Sequence, residues 1–225
     1  MARRCFVERG DMAGTVTRLE IQKRNKERVN VYLDDEFAFG LALLLAATLR
    51  KGQHLTDADI AELRRQDGVE KAYNRALLYL GYRPRSEAEI RQYLRGKQTP
   101  DDMIDTILVR LRRVGLVDDE AFAQAWVRHR GATAPRGARA LRQELRQKGI
   151  DRSQIDAAVE DLDEEAGALE AARVRAARLA ALPREEFVRK LSEFLLRRGF
   201  AYDVVHDTVS RLWRELHDEG LEQDD

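Results

Sequence analysis

The feature that most constrains this chain is an internal repeat. The stretches EIRQYLRGKQT (89–99), ALRQELRQKGI (140–150) and KLSEFLLRRGF (190–200) align without gaps, at offsets of 51 and then 50 residues. The register holds beyond them. Ile90, Leu141 and Leu191 fall together, as do Leu94, Leu145 and Leu195. Downstream, Ile104, Ile155 and Val205 coincide, then Leu108, Val159 and Val209, then Leu111, Leu162 and Leu212. Within each unit apolar residues recur at i, i+4, break, and recur at i, i+4, i+7, which is a helix, a tight turn near Gly149 or Gly199, and a second helix. A further helical segment precedes each pair, at 69–80, 120–130 and 167–181. The expected fold is therefore mainly α: a tandem array of three three-helix repeats, at 69–118, 119–165 and 166–217. Small units stacked in tandem are expected to give an elongated molecule suited to lying along another long object.

The residues before the array follow a different period. Thr15, Thr17, Leu19 and Ile21 alternate, as do Val29, Val31 and Leu33, with the polar RNKER stretch between them; this predicts a β-hairpin with one buried face. Phe37 and Phe39 suggest a third short strand. A helix is predicted over LALLLAATLR, stopping near Gly52, and a second from a capping box at Thr56 to about Gln66. Residues 14–68 thus form a small α+β module. A mobile tail is expected at 1–13 and an acidic tail at 218–225.

Composition removes several function classes. The single cysteine, Cys5, allows no internal disulfide and no cysteine-based metal site. The first residues lack the apolar core of a signal peptide, and the longest apolar stretch, Phe37 to Leu49, is too short to cross a bilayer, so a cytosolic protein is expected. The four histidines fit no ligand or triad spacing, and neither a Walker loop nor an H-E-x-x-H motif is present; no catalysis, metal or cofactor is expected. Asp118-Asp119-Glu120 precedes an apolar-periodic helix and is expected to cap it. Thr99-Pro100 is expected to place the proline at the first helical position of the next.

Net charge is zero, so distribution matters more than the sum. Between Arg128 and Lys148 stand Arg128, Arg130, Arg136, Arg139, Arg142, Arg146 and Lys148 against one acid, Glu144. On a helix with Leu141 and Leu145 inward, Arg139, Arg142 and Arg146 share the outward face. Arg91, Arg95 and Lys97 occupy the positions of Arg142, Arg146 and Lys148 in the first unit, and Arg198 matches Lys148 in the third. A basic stripe recurring at the spacing of the structural unit suits an acidic groove or a phosphate backbone, and the alternative is a solvated arginine-rich face. Arg83, Arg85 and Arg197 complete the candidate set. Trp126 and Trp213 sit near the apolar faces of their helices, where core packing is the expected role and a partner anchor the alternative.

Four segments resemble the RecX regulatory proteins in order and spacing: RxRSExEIxxYL (Arg83 to Leu94), GLVDDEAFAxAW (Gly115 to Trp126), RGARALRQELRQKGI (136–150) and LRRGF (196–200). The resemblance covers residues 72–216; the module before it resembles an N-terminal extension found in some members. It implies a non-catalytic modulator that binds the RecA filament on single-stranded DNA, lies in its helical groove, and inhibits its ATPase and strand-exchange activities, so modulating DNA repair and recombination. Direct DNA binding is also implied, and a monomer is expected. The competing readings are a helix-turn-helix DNA-binding protein acting without RecA, and an interaction module for an unrelated protein. Helix 151–164, the groove-reading helix under the first of these, carries Arg152 as its only base.

Overall fold

The computed structural model describes residues 13–218; the expected N-terminal tail with Cys5, and the acidic tail from Glu219 onward, lie outside the described residues. The chain divides into two compact units. Among the described residues, one comprises 13–83 together with Gln92–Arg113, the other Pro84–Arg91 together with 114–218.

In the first unit, β1 (Gly14–Ile21), β2 (Arg28–Leu33), β3 (Glu36–Ala42) and β4 (His54–Leu55) form an antiparallel sheet in the order β3-β2-β1-β4. The predicted hairpin is β1–β2, and the suggested third strand is β3. The alternating Val29, Val31 and Leu33 are buried with Phe39, Leu41, Leu55 and Ile60 in one core. In β1 the buried residue is Val16 and not the alternating set expected there: Leu19 only packs against that core and Ile21 is exposed, because the pairing with β2 shifts register between Val16 and Arg18. Two local expectations fail. The helix predicted over LALLLAATLR shrinks to α1 (Leu43–Ala46), because Leu41 and Ala42 are drawn into β3 opposite Val29 and Arg28. Beyond α1, Gly52 N–H donates to the Val16 carbonyl and Val16 N–H to that of Gln53, which leads into the unanticipated β4. Long-range strand pairing outweighs local helix propensity here.

The second difference lies in α2 (Asp57–Leu80), one continuous 24-residue helix where the sequence predicts two. Thr56 closes the predicted capping box with Asp59. The helix runs through Gly68, which costs about 1 kcal/mol relative to alanine, and packing on both sides of that point compensates. Asp67, 3% exposed, takes both terminal guanidinium nitrogens of Arg28 at 3.1 Å, the Ala42 N–H at 2.8 Å and the Lys71 ammonium at 2.8 Å. On α4 (Asp101–Arg113), the Met103 side chain lies where it would touch a side chain added at Gly68.

The repeat is realised in α3 (Glu87–Arg95) with α4, α6 (Ala138–Gln147) with α7 (Arg152–Val159), and α9 (Arg184–Arg197) with α10 (Tyr202–Asp218). The preceding helices are the second half of α2, then α5 (Asp119–Thr133) and α8 (Glu164–Leu179). Every aligned apolar set is buried, apart from the half-buried Leu162. The first helix of each pair ends in the same double hydrogen bond. Gln98, Gly149 and Gly199 donate to the carbonyls of Arg95, Arg146 and Leu196, while Thr99, Ile150 and Phe200 donate to those of Leu94, Leu145 and Leu195. All three turn residues are left-handed, with φ of 60°, 75° and 85°. Asp118 caps α5 by accepting the Ala121 N–H, as expected, whereas Pro100 stands just before α4 and gives its carbonyl to Ile104.

Candidate functional site

On α6 the inward Leu141 and Leu145 belong to the core formed with α5 and α7 (Phe122, Ala123, Ile155, Val159), which leaves Arg139, Gln143, Arg146 and Gln147 to line a shallow outer depression. A second depression is lined by Arg142, Arg146, Arg152, Ile155 and Asp156. Arg146 belongs to both, so the two form one basic face. Among the described residues the only carboxylate lining it is that of Asp156, which takes Arg142 Nε at 3.3 Å and Arg152 Nε at 3.6 Å. These groups are well exposed, 96% for the Arg152 side chain, and such ion pairs contribute little and exchange readily for a stronger anion. Arg146 Nε donates to the Arg142 carbonyl at 3.1 Å, and Arg139 has no ion-pair partner among the described residues. Four guanidiniums against one carboxylate make a surface that can hold phosphates or acidic side chains.

The other candidates lie elsewhere. Glu144 accepts from Trp126 Nε1 at 2.7 Å, Arg130 Nε at 2.9 Å and Arg136 Nε at 3.0 Å, so two arginines of the predicted stripe are tied to its single acid. Lys148 reaches Glu89 at 2.8 Å and stands 5.1 Å from the Trp126 ring centre. Arg198 donates to the Pro135 carbonyl at 3.1 Å and lies over the Phe194 ring; burial and the nearby Arg136 lower its proton affinity. Arg91 pairs with Glu87, Arg95 with Asp101 and Arg197 with Glu193, while Lys97 sits over Tyr93. Arg83 and Arg85 are half-buried and engaged within the fold, and Arg128 is exposed on α5. Trp213 packs edge-on to Phe187 and stacks on His217 with ring centres 3.6 Å apart, and is half-buried like Trp126.

Lys148 and Arg198 are indeed equivalent, in a role that the repeat alignment does not disclose. Ser86 Oγ donates to the Lys148 carbonyl at 2.6 Å, and Gly137 N–H to the Arg198 carbonyl at 3.1 Å; Ser86 and Gly137 are themselves 51 residues apart. The next backbone N–H repeats the pattern: Glu87 donates to Asp119 Oδ1 at 2.8 Å, and Ala138 to Glu164. The start of one repeat's helix is thus bonded to the turn and to the leading carboxylate of the following repeat. Burial raises the Asp119 carboxyl above its ordinary value, with Glu87, Asp151 and Asp118 adding repulsion against the lowering bond from Glu87 N–H. Gly149 is required because a side chain there would overlap the Ala88 methyl, and Gly199 because one would come within 2.5 Å of Ala140.

Arg152 is missing from the set that sequence reasoning assembles. It opens the helix whose acidic run argues against groove reading, so its charge is outvoted there. The signal that finds it is position: it follows the turn glycine Gly149 by three residues, which returns the chain past Arg146.

Three family models match the chain in sequence: the regulatory protein RecX N-terminal domain over 14–56, the first RecX three-helix domain over 72–111 and the second over 118–159. The Regulatory protein RecX of Bacillus licheniformis is 34% identical over 214 residues, covering 93% of this chain and 81% of the relative. The chain belongs to the RecX family. The Bacillus subtilis RecX protein is likewise 34% identical, with the same coverage. A crystal structure of regulatory protein RecX superposes with a TM-score of 0.75 at 34% identity, covering 86% of this chain and 97% of that one. That of RecX from Lactobacillus salivarius superposes with a TM-score of 0.61 at 27% identity, covering 65% and 97%. The N-terminal module is thus a RecX domain in its own right. No helix among the described residues is long and apolar enough to cross a membrane.

Proposed function

We propose that this protein is a cytoplasmic, monomeric regulator that binds a RecA filament on single-stranded DNA along its groove, inhibits its ATPase and strand exchange, and so tempers DNA repair and recombination. The observation that carries the reading is the basic face formed by α6 and the start of α7, where Arg139, Arg142, Arg146 and Arg152 meet solvent against one exposed carboxylate among the described residues, in a chain of the RecX family. Acidic side chains of the recombinase or DNA phosphates would occupy that face. Contacts to more than one subunit would make the filament preferred over the free recombinase, because linked weak contacts multiply. The rival reading, groove recognition by helix-turn-helix units acting alone, is disfavoured by α7, whose Arg152 is its only base.

The test is the single-stranded-DNA-dependent ATPase of the cognate RecA, titrated with this protein well below one copy per subunit. Inhibition is expected, and Arg139→Glu/Arg142→Glu/Arg146→Glu should weaken it by about tenfold or more. Absence of inhibition, together with salt-sensitive binding to bare DNA, would transfer the assignment to the rival.

A further inference from the structure

The N-terminal module carries a second set of cations that the fold does not pair. Between β1 and β2 the chain makes a loop, Gln22 to Glu27, closed by the Gln22 N–H to Arg28 carbonyl bond at 2.9 Å and the Arg28 N–H to Asn25 carbonyl bond at 3.2 Å. Asn25 Oδ1 accepts the Glu27 N–H at 3.0 Å and fixes the turn. Lys23, Arg24 and Lys26 on this loop are exposed and have no ion-pair partner among the described residues. Arg28, next in sequence, turns inward to Asp67, so the loop cations are not an overflow of the internal network.

A second, apolar component adjoins them. The Leu43 N–H donates to the Glu27 carbonyl at 2.8 Å, which brings the start of α1 against the loop. Leu43 is 43% exposed and Leu44 74%, while Ile21, the last residue of β1, is 52% exposed. A groove alongside includes Asn25, Glu27, Glu70, Lys71 and Arg75 in its lining. Of its carboxylates, Glu70 is held by Arg110 at 2.5 Å, and Arg75 is a further exposed cation with no ion-pair partner among the described residues. Among the described residues Glu27 is therefore the one uncommitted acid of the groove and loop, beside the uncommitted Lys23, Arg24, Lys26 and Arg75. Isolated exposed leucines are ordinary, but paired leucines beside unpaired cations form a composite surface.

We propose that this end of the module binds single-stranded nucleic acid, with Lys23, Arg24 and Lys26 on successive phosphates and Leu43 and Leu44 against base faces. Charge selects a polyanion. The leucines select a single strand, because unstacked bases offer apolar faces whereas a duplex buries them in its stack. The site shares no residue with the face on α6 and goes beyond the filament reading, so it stands or falls on bare nucleic acid without RecA.

The experiment is fluorescence anisotropy of a labelled oligothymidylate with the full chain, from low to physiological salt. Lys23→Gln/Arg24→Gln/Lys26→Gln should weaken binding and make the slope of log affinity against log salt shallower by about 2, three contacts at about 0.7 each. Leu43→Ser/Leu44→Ser should weaken binding with the slope unchanged, which a purely electrostatic patch would not show. Binding to a duplex of equal length should be insensitive to the leucine change. Unchanged affinity and slope in the glutamine variant would overturn the site, as would an equal leucine effect on the duplex. A glutamine variant that binds the oligonucleotide normally but no longer binds DNA-free RecA would overturn it too, by making the partner a protein. RecA inhibition by the parent protein checks the filament reading separately, since neither result depends on the other.

Discussion

The outer face of α6 and the seams between successive repeats are both rich in arginine and lysine, yet their cations do different work. On α6 the guanidiniums of Arg139, Arg142 and Arg146 meet solvent, and of the three Arg142 alone holds a carboxylate among the described residues, the exposed Asp156. At the seams Lys148 and Arg198, and inside the second repeat Arg130 and Arg136, are half-buried, each tied to a carboxylate or carbonyl contributed by another segment. Basic residues in the same stretch of sequence therefore divide into those that hold the protein together and those left over for a partner. The dividing criterion is whether the acceptor that reaches them is itself shielded: the side chains of Glu144 and Glu89 are 17% and 14% exposed, that of Asp156 52%.

Substitutions can sharpen or break that division. The largest effect is expected at the seam glycine: Gly149→Val should destabilise by about 3 kcal/mol or more, since it combines a left-handed backbone with an overlap against Ala88. Its equivalent Gln98, at φ 60°, already carries a side chain, and Gln98→Gly should leave stability unchanged or raise it slightly, which urea unfolding of the two variants would show. Next in size, Glu144→Ala strands Trp126, Arg130 and Arg136 and should cost about 1–3 kcal/mol. The triple arginine change on α6 should instead shift stability by no more than about 0.5 kcal/mol while weakening RecA inhibition by about tenfold or more. Equal losses of stability in both would erase the distinction.

The smallest effect is expected at Asp119. Its folded-state pKa lies above the unfolded value, so the native state takes up a proton more readily than the unfolded chain. Its contribution to stability should therefore increase as pH falls through the folded value toward the ordinary carboxylate range, and be least favourable at neutral pH. Asp119→Asn keeps an oxygen to accept the Glu87 N–H and removes the repulsion, so it should be neutral or mildly stabilising at pH 7 and flatten that part of the pH profile. Chemical unfolding between pH 4 and 7 checks this, and a destabilised variant at pH 7 would show that the charge itself is needed.

Much of this was legible in the sequence. Periodicity places Leu141 and Leu145 inward and so orients Arg139, Arg142 and Arg146 outward, and the gapless alignment picks out the buried sets of the repeat. These are properties of neighbours three and four residues apart. The seams were not legible, because Lys148 finds Glu89 from 59 residues away and Arg198 finds Pro135 from 63. The same holds in the N-terminal module, where strand pairing shortened α1 and the Asp67 cluster carried α2 through Gly68. Local pattern decides which side of an element faces out, while distant partners decide which outward charges remain available.

Fifty residues after Gly137, whose N–H joins the second repeat to the third, stands Phe187, fully buried within α9. The residue that would offer a backbone donor to a further unit is already inside a helix that begins at Arg184. The third repeat can therefore receive a neighbour on one side but has no matching socket to extend to another. A copy of the second repeat inserted between the second and third would find both halves of the seam waiting for it, whereas the same copy appended after α10 would hang from the protein as an unanchored passenger.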